Sequence, residues 1–271
     1  EKKVASGFTH DAVRSPDGTS VYLADTARGR ILELEYPSLK QMKAHALFSS
    51  MDHINTLAPS DGGMVWALLH RKGAPSSLVE ASLDTGALGR SIDGFGKSAH
   101  GIVFLGEDET AGEKGKSNKA PAILTLDSKN GRLLRLVGDK EEVLWADPKK
   151  RFLKGLCVVE GVAYFGVNTW GPLKHRVGEK TTADIVALEI ATRKVLWQRA
   201  IPTAGTLNVI AAPQLGVTSP YRPMPSWTPD ARWLTGTLGI SRANPTDDGS
   251  ELAEYEYYYY YNQQAGGKNE L

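Results

Sequence analysis

MDHINTLAPSDGGMVWALLH, residues 51–70, decides the fold. It opens on a polar group, Asp52-His53-Ile54-Asn55, and runs into an apolar strand start. A tight turn is predicted over residues 59–63, and a second strand over residues 64–70. The same order recurs in FTHDAVRSPDGTSVYLAD (8–25), SAHGIVFL (98–105), FLKGLCVVEGVAYFGVN (152–168) and GTLNVIAAPQ (205–214). Aligned, the equivalent letters (third in the first four stretches, fourth in GTLNVIAAPQ) are His10, His53, His100, Lys154 and Asn208, at successive spacings of 43, 47, 54 and 54 residues. A strand-built period of roughly 40–50 residues is the signature of a β-propeller.

Each unit divides into short strands separated by turn residues. In the first, Ser15-Pro16-Asp17-Gly18 is a turn: proline presets φ and glycine supplies positive φ. RILELE (30–35) alternates with the period of two that marks a half-buried strand. LADTARGRILEL (23–34) and LTLDSKNGRLLRL (124–136) repeat strand, turn, Gly-Arg and strand, the strongest internal match in the chain. The expectation is an all-β propeller of four-stranded blades, of the six-bladed type. Four blades are clear, and a degenerate fifth starts at residues 207–212 and leaves the ring incomplete.

The expected domains are a propeller over residues 1–216 and a Pro-rich, then Tyr-rich, partly disordered extension over 217–271. Residues 217–229 hold four of the chain's 14 prolines, a density no packed strand tolerates. EYEYYYYYNQQ (254–264) has strong β propensity but no alternation of faces.

A formal net charge of +1 predicts no pull toward nucleic acid or an anionic membrane. The single cysteine, Cys157, excludes an intramolecular disulfide and reads as a buried, inert thiol. No stretch approaches the roughly 20 apolar residues of a spanning helix. No signal peptide is visible, and the absence of an initiator Met leaves open a processed form or a fragment. The final Lys268-Asn269-Glu270-Leu271 differs by one letter from the Lys-Asp-Glu-Leu address, so the endoplasmic reticulum lumen is one expected location and the cytoplasm the other.

The innermost strands of a propeller run along its channel, so equivalent positions form a ring at one mouth. His10, His53 and His100 are therefore candidate metal ligands, since three imidazoles suit Zn²⁺. Asp11, Asp52, Asn55 and Asn208 offer hard oxygens and suit Ca²⁺. Lys154, Asn208, Asn55, Asp11 and Asp52 are candidate ligand-binding residues at the mouth, with Lys154 suited to an anionic group. Trp170 and His175, in the aromatic and basic insertion 168–182, are candidates on an overhanging loop. The structural alternative is that recurring polar residues at strand starts latch one blade to the next. His45, His70 and His175 fall outside the ring by this alignment.

Two functions follow. The first is a binding protein that holds a small anionic or glycan ligand, or a protein partner, at the mouth. The second is a metal-dependent lyase or hydrolase at the same place. No nucleophile elbow, P-loop, HExxH or CxxC motif is present; GFGKSAHG (94–101) precedes a strand rather than a helix.

The motif order resembles the DUF4915-type family of β-propeller proteins over residues 8–216. Its His-Asp-Leu-Ala start is matched by His10-Asp11-Ala12-Val13, and its Cys-His-Leu-Asn-Gly-Leu-Ala by residues 52–58. Its Phe-x-Arg-Gly-Leu is matched by residues 152–156, with Lys154 in place of Arg. Its closing Asp-Val-Ala-Val-Leu-Pro is matched by residues 208–213, with Asn208 in place of Asp. The resemblance implies the propeller fold and carries no activity.

Overall fold

The structure, a computed structural model, describes residues 8–60, 62–71, 73–105, 122–169, 182–201 and 205–210. These all belong to one compact unit; the second unit, residues 171–178 and 212–271, lies outside the described residues.

The described chain forms four antiparallel sheets of four strands, each in sequence order. The first blade is β1 (Thr9–Arg14), β2 (Ser20–Asp25), β3 (Arg30–Glu35) and β4 (Gln41–His45), with a 3₁₀ turn at Thr26–Arg28. The second is β5 (Ile54–Ser60), β6 (Met64–Leu69), β7 (Pro75–Ser82) and β8 (Leu88–Lys97). The third is β9 (His100–Leu105), β10 (Ala122–Asp127), β11 (Arg132–Val137) and β12 (Lys140–Ala146). The fourth is β13 (Phe152–Val159), β14 (Val162–Asn168), β15 (Ala183–Glu189) and β16 (Lys194–Ile201). The first strand of each blade packs beside the first strand of the next, β1 by β5, β5 by β9 and β9 by β13. This is a β-propeller, built as the repeat predicts.

Side chains alternate across a strand, so an interior blade must be apolar on both faces. MVWALL in β6 shows how. Val65, Ala67 and Leu69 enter a core shared with Tyr22, Ala24 and Ile31 of the first blade. Trp66 and Leu68 enter a core shared with Ile123 and Leu134 of the third. β10 repeats the division: Leu124 and Leu126 turn toward Phe165 and Val186 of the fourth blade, while Ile123 turns back toward the second.

The Gly-Arg repeat has an electrostatic purpose. Asp25 and Asp127, at the ends of β2 and β10, are fully buried. The Arg30 Nε lies 2.7 Å from Asp25 Oδ2, and the Arg132 Nε 2.6 Å from Asp127 Oδ2. Asp127 Oδ1 also accepts the Lys97 backbone N–H at 2.7 Å, tying β8 to the third blade. A buried carboxylate needs this number of donors to offset its desolvation.

Three sequence expectations change. The turn predicted at residues 59–63 starts later, because β5 continues through Pro59, which pairs with Val65. Proline is tolerated there because β5 is an edge strand of its sheet. The polar stretch 40–48 reads from sequence as the outermost strand of the first blade, and the structure confines that strand to Gln41–His45. Residues 205–210 carry no strand, so the fifth blade expected from 207 does not begin there; residues 211 and 212 lie outside the described chain. The reason is local. Asn208 Oδ1 accepts the backbone N–H of Val209 at 2.9 Å, offering the backbone a partner other than a ladder.

Candidate functional site

All four first strands carry a break in register beside the residue singled out by the repeat. It falls between Thr9 and Ala12 in β1, Ile54 and Thr56 in β5, His100 and Val103 in β9, and Lys154 and Leu156 in β13. A bulge of this kind bends the strand and re-aims a side chain. Glycine serves the bulge twice, at Gly101 (φ +77°) and Gly155 (φ +70°), a conformation that costs a residue with a Cβ.

These breaks bring together a continuous row of rings. Phe8 meets His10 at 4.8 Å between centroids, and His10 meets His53 at 4.7 Å. His53 meets His70 at 4.8 Å, His70 meets His100 at 5.5 Å, and His100 meets Phe152 at 5.4 Å. Most contacts are edge to face, the geometry that sets a ring's positive edge against a neighbour's negative face.

His10, His53 and His100 thus stand in one row, but not by strict equivalence. His10 and His100 lie within β1 and β9, whereas His53 precedes β5 and has a positive φ of 51°. The row's fourth imidazole, His70, was placed outside the ring by the sequence alignment. It follows directly on β6, at the place Thr26 holds after β2: the His70 N–H donates to His53 O as the Thr26 N–H donates to Phe8 O. That shared position after the second strand is the signal that would have found it.

The hydrogen bonds fix how two of the rings hold their protons. Thr26 Oγ1 donates its one hydrogen to Ile54 O at 2.6 Å, and His10 Nδ1 lies 2.9 Å from the same oxygen. The hydroxyl can therefore only accept from His10, which carries its proton on Nδ1. His100 Nδ1 is 2.8 Å from Ser98 O, and a carbonyl oxygen only accepts. His100 is protonated on Nδ1 too, so both neutral rings keep a bare lone pair on Nε2. Ser128 Oγ, also 2.8 Å from His100 Nδ1, shares that contact.

Both rings stay neutral at physiological pH. Burial, and then the charge of Lys154, push the His10 pKa down to about 4. The same two causes, joined by His70 and His10, hold His100 well below the usual imidazole value. Burial leads, and the charge of Lys154 comes second. A pH dependence follows for His10. The unfolded imidazole takes a proton near 6.5 and the folded one only near 4, so between these values the unfolded chain holds more protons. Stability should fall as pH drops from about 6.5 to about 4, by roughly 2–3 kcal/mol for this group. Urea titrations at pH 7 and pH 5 should show a larger loss for the wild type than for His10→Gln; equal losses would refute it.

The other candidates are placed as follows. Asp11 bridges two blades, its Oδ2 accepting from Leu57 N and its Oδ1 from Ala12 N, both at 2.9 Å. Burial raises its pKa against the lowering effect of those donors. Asp52 organises the turn before β5, accepting from Ser49 N at 2.9 Å and Oγ at 2.8 Å. Asn55 is buried, and its Nδ2 has no hydrogen-bond partner among the described residues. Its neighbour Thr56 latches the next blade, with Oγ1 accepting from Gly101 N at 3.1 Å. Asn208 is exposed on a segment that runs against Gly155 of β13. That segment is anchored by Asn168, whose Oδ1 accepts from Thr206 N at 2.6 Å and whose Nδ2 donates to Thr206 O at 3.1 Å. His45 sits on β4 against Glu33 at 3.0 Å, outside the row as expected. Trp170 and His175 lie outside the described residues. Among the described residues, no group of three or more His, Cys, Asp or Glu side chains is arranged to hold a metal ion.

The fold and this row define a β-propeller scaffold with imidazoles gathered along its first strands. No protein-family model and no curated protein matches the chain. Among solved structures it is similar to a luciferin-regenerating enzyme, at 14% identity and a TM-score of 0.51, covering 76% of this chain and 66% of that one. It is also similar to virginiamycin B lyase from Staphylococcus aureus, at 15% identity and a TM-score of 0.49, covering 74% and 58%. A third likeness is to a chain of a nidogen/laminin complex, at 12% identity and a TM-score of 0.48, covering 72% and 64%. The chain spans about half to two thirds of the length of the structures it matches. At such identities the likeness bears on the fold alone.

Proposed function

We propose that this propeller is a binding protein whose imidazole row, with Lys154, takes a small anionic ligand. The observation that carries the reading is a juxtaposition: touching rings from three blades stand in the field of a lysine from the fourth. Neutral imidazoles add surface and hydrogen-bonding capacity without adding charge, so the lysine supplies the attraction. In a partly desolvated site, a charge-assisted hydrogen bond is about twice as strong as a neutral one.

Acetate, titrated into protein carrying ¹⁵N-labelled histidine, tests this. It should move the imidazole resonances of the row saturably. Lys154→Gln should weaken binding about tenfold or more, the order expected for a hydrogen bond to a charged group. Unchanged affinity in that variant would refute the role of Lys154.

A metal-dependent lyase or hydrolase is the second reading, and one observation favours it. His10 and His100 both spend their Nδ1–H on oxygen, as metal-binding imidazoles do when an outer partner orients Nε2 toward the ion. Stoichiometric zinc in the purified protein, lost on His53→Ala, would support it. Protein that takes up neither zinc nor calcium would count against it.

A further inference from the structure

The Val-Leu-Trp of β12 recurs in β16, and the two copies meet different surroundings. In both strands the register shifts at the leucine, between Leu133 and Leu134 for β12 and between Ala187 and Leu188 for β16. In the third blade Leu144 is buried and Trp145 packs against the fourth blade, 5.1 Å from Phe165. In the fourth blade Leu196 and Trp197 are 46% and 37% exposed. The cover that this tripeptide has in the third blade has no counterpart over the fourth among the described residues.

Sheet edges are kept from pairing with other chains by shortness, breaks or charge. β4 is five residues long, and β8 carries Gly89, Gly94, Gly96 and three shifts of register. β12 carries Glu141 and Glu142, in ion pairs with Arg132 and Arg135. β16 ends its sheet, is eight residues long and contains no glycine, proline or acidic residue. Beyond its one bulge, residues 197–201 pair with 183–187 without a break. The outward N–H and C=O groups of such a strand are a template for one more. Side chains alternate, so Trp197, Arg199 and Ile201 share a face, an apolar–cation–apolar series. The Arg199 guanidinium stands 5.6 Å from the centre of the Trp197 ring. We infer that β16 docks an extended segment of another protein, in which an acidic residue has an apolar one two positions away on either side. A second copy of this strand fits badly: antiparallel pairing centred on residues 197–201 sets Arg199 against Arg199, and like charges directly opposite destabilise a pair. The inference is independent of the anion site at the rings.

Three peptides, titrated at low salt into the ¹⁵N-labelled full chain, test it. The first is Thr-Val-Thr-Glu-Thr-Val-Thr, the second has Lys in place of Glu, and the third is the first with every peptide nitrogen methylated. The glutamate peptide should move the β16 amide resonances and the Trp197 indole resonance saturably. The lysine peptide should bind about fivefold more weakly, the order of one cross-strand ion pair. The methylated peptide, which cannot donate to a ladder, should not bind. Arg199→Glu, at an exposed position, should invert the order of the first two. Absence of shifts with the glutamate peptide, equal affinity for glutamate and lysine, or undiminished binding of the methylated peptide would each overturn the inference. A dimer in sedimentation of the protein alone, broken by Leu196→Lys, would put a second copy on this edge and overturn it as well.

Discussion

Phe165→Ala should destabilise the protein by about 3–5 kcal/mol, the usual cost of emptying a buried phenylalanine site. Phe165 is fully buried at the centre of the core between the third and fourth blades. It pairs with Leu156 on one side and Val186 on the other. Its ring meets Trp145 edge to face at 5.1 Å, and that contact would be lost with the apolar area. Tightly paired strands on both sides leave the cavity little freedom to collapse. Phe165→Leu keeps most of the volume and should cost far less. Urea denaturation followed by tryptophan fluorescence reads both. A Phe165→Ala loss no larger than that of Phe165→Leu would mean this cluster does not join the two blades.

Gly155→Ala should have the second largest effect, for a different reason. A Cβ at this position would lie 2.3 Å from Val209 N and 2.6 Å from Asn208 C. Both are backbone atoms, which cannot rotate away as the end of a long side chain can. Residues 205–210 would have to lift off β13, breaking the Asn168–Thr206 pair that holds them. The positive φ of 70° adds its own strain. Gly161 supplies the control: its φ is 73°, yet a Cβ there meets nothing within 4 Å. Gly161→Ala therefore carries only the conformational cost of about 1 kcal/mol, and Gly155→Ala should exceed it by about 1–3 kcal/mol. Hydrogen exchange should also quicken at Thr206 in Gly155→Ala alone. Equal costs in the two variants would refute the close approach.

The blades were legible because strand alternation and turn chemistry are local. RILELE (30–35) is bounded in the structure as its alternation predicts, and AILTLD and RLLRLV fall on the two strands of the LTLDSKNGRLLRL match. The row of rings was legible only in part. His10, His100 and Lys154 could be found by spacing, since each lies within the first strand of its blade. His53 was counted with them although it precedes β5, and it joins the row through its left-handed backbone. A bulge adds a residue to one strand and not to its partner, so equal letter counts do not imply equal positions. His70 escaped for the same reason that Thr26 and Ser128 did: the residue after a second strand reads as a loop. In space it meets the first strand, at His10 for Thr26 and at His100 for Ser128. Asn208 was assigned to a strand that its own side chain helps to prevent.

The latches and the site are one construction. Thr26 joins β2's end to Ile54 of the next blade and sets the His10 tautomer with the same oxygen. Replacing it would loosen two blades and change what the row offers a ligand. At His10 the latch is present, and the ligand-binding role proposed for this ring is compatible with it.

Contact between the rings is the most direct test of this arrangement. In protein with ¹³C-labelled histidine, nuclear Overhauser effects should connect the imidazole protons of His10 with His53, His53 with His70, and His70 with His100. The centroid separations behind them are 4.7, 4.8 and 5.5 Å. His45, paired with Glu33 on an outermost strand, should show no such connection to the row. A continuous chain of effects through His70 is the predicted result. A spectrum in which His10 and His53 connect but His70 reaches neither His53 nor His100 would contradict the row, and with it the site it forms.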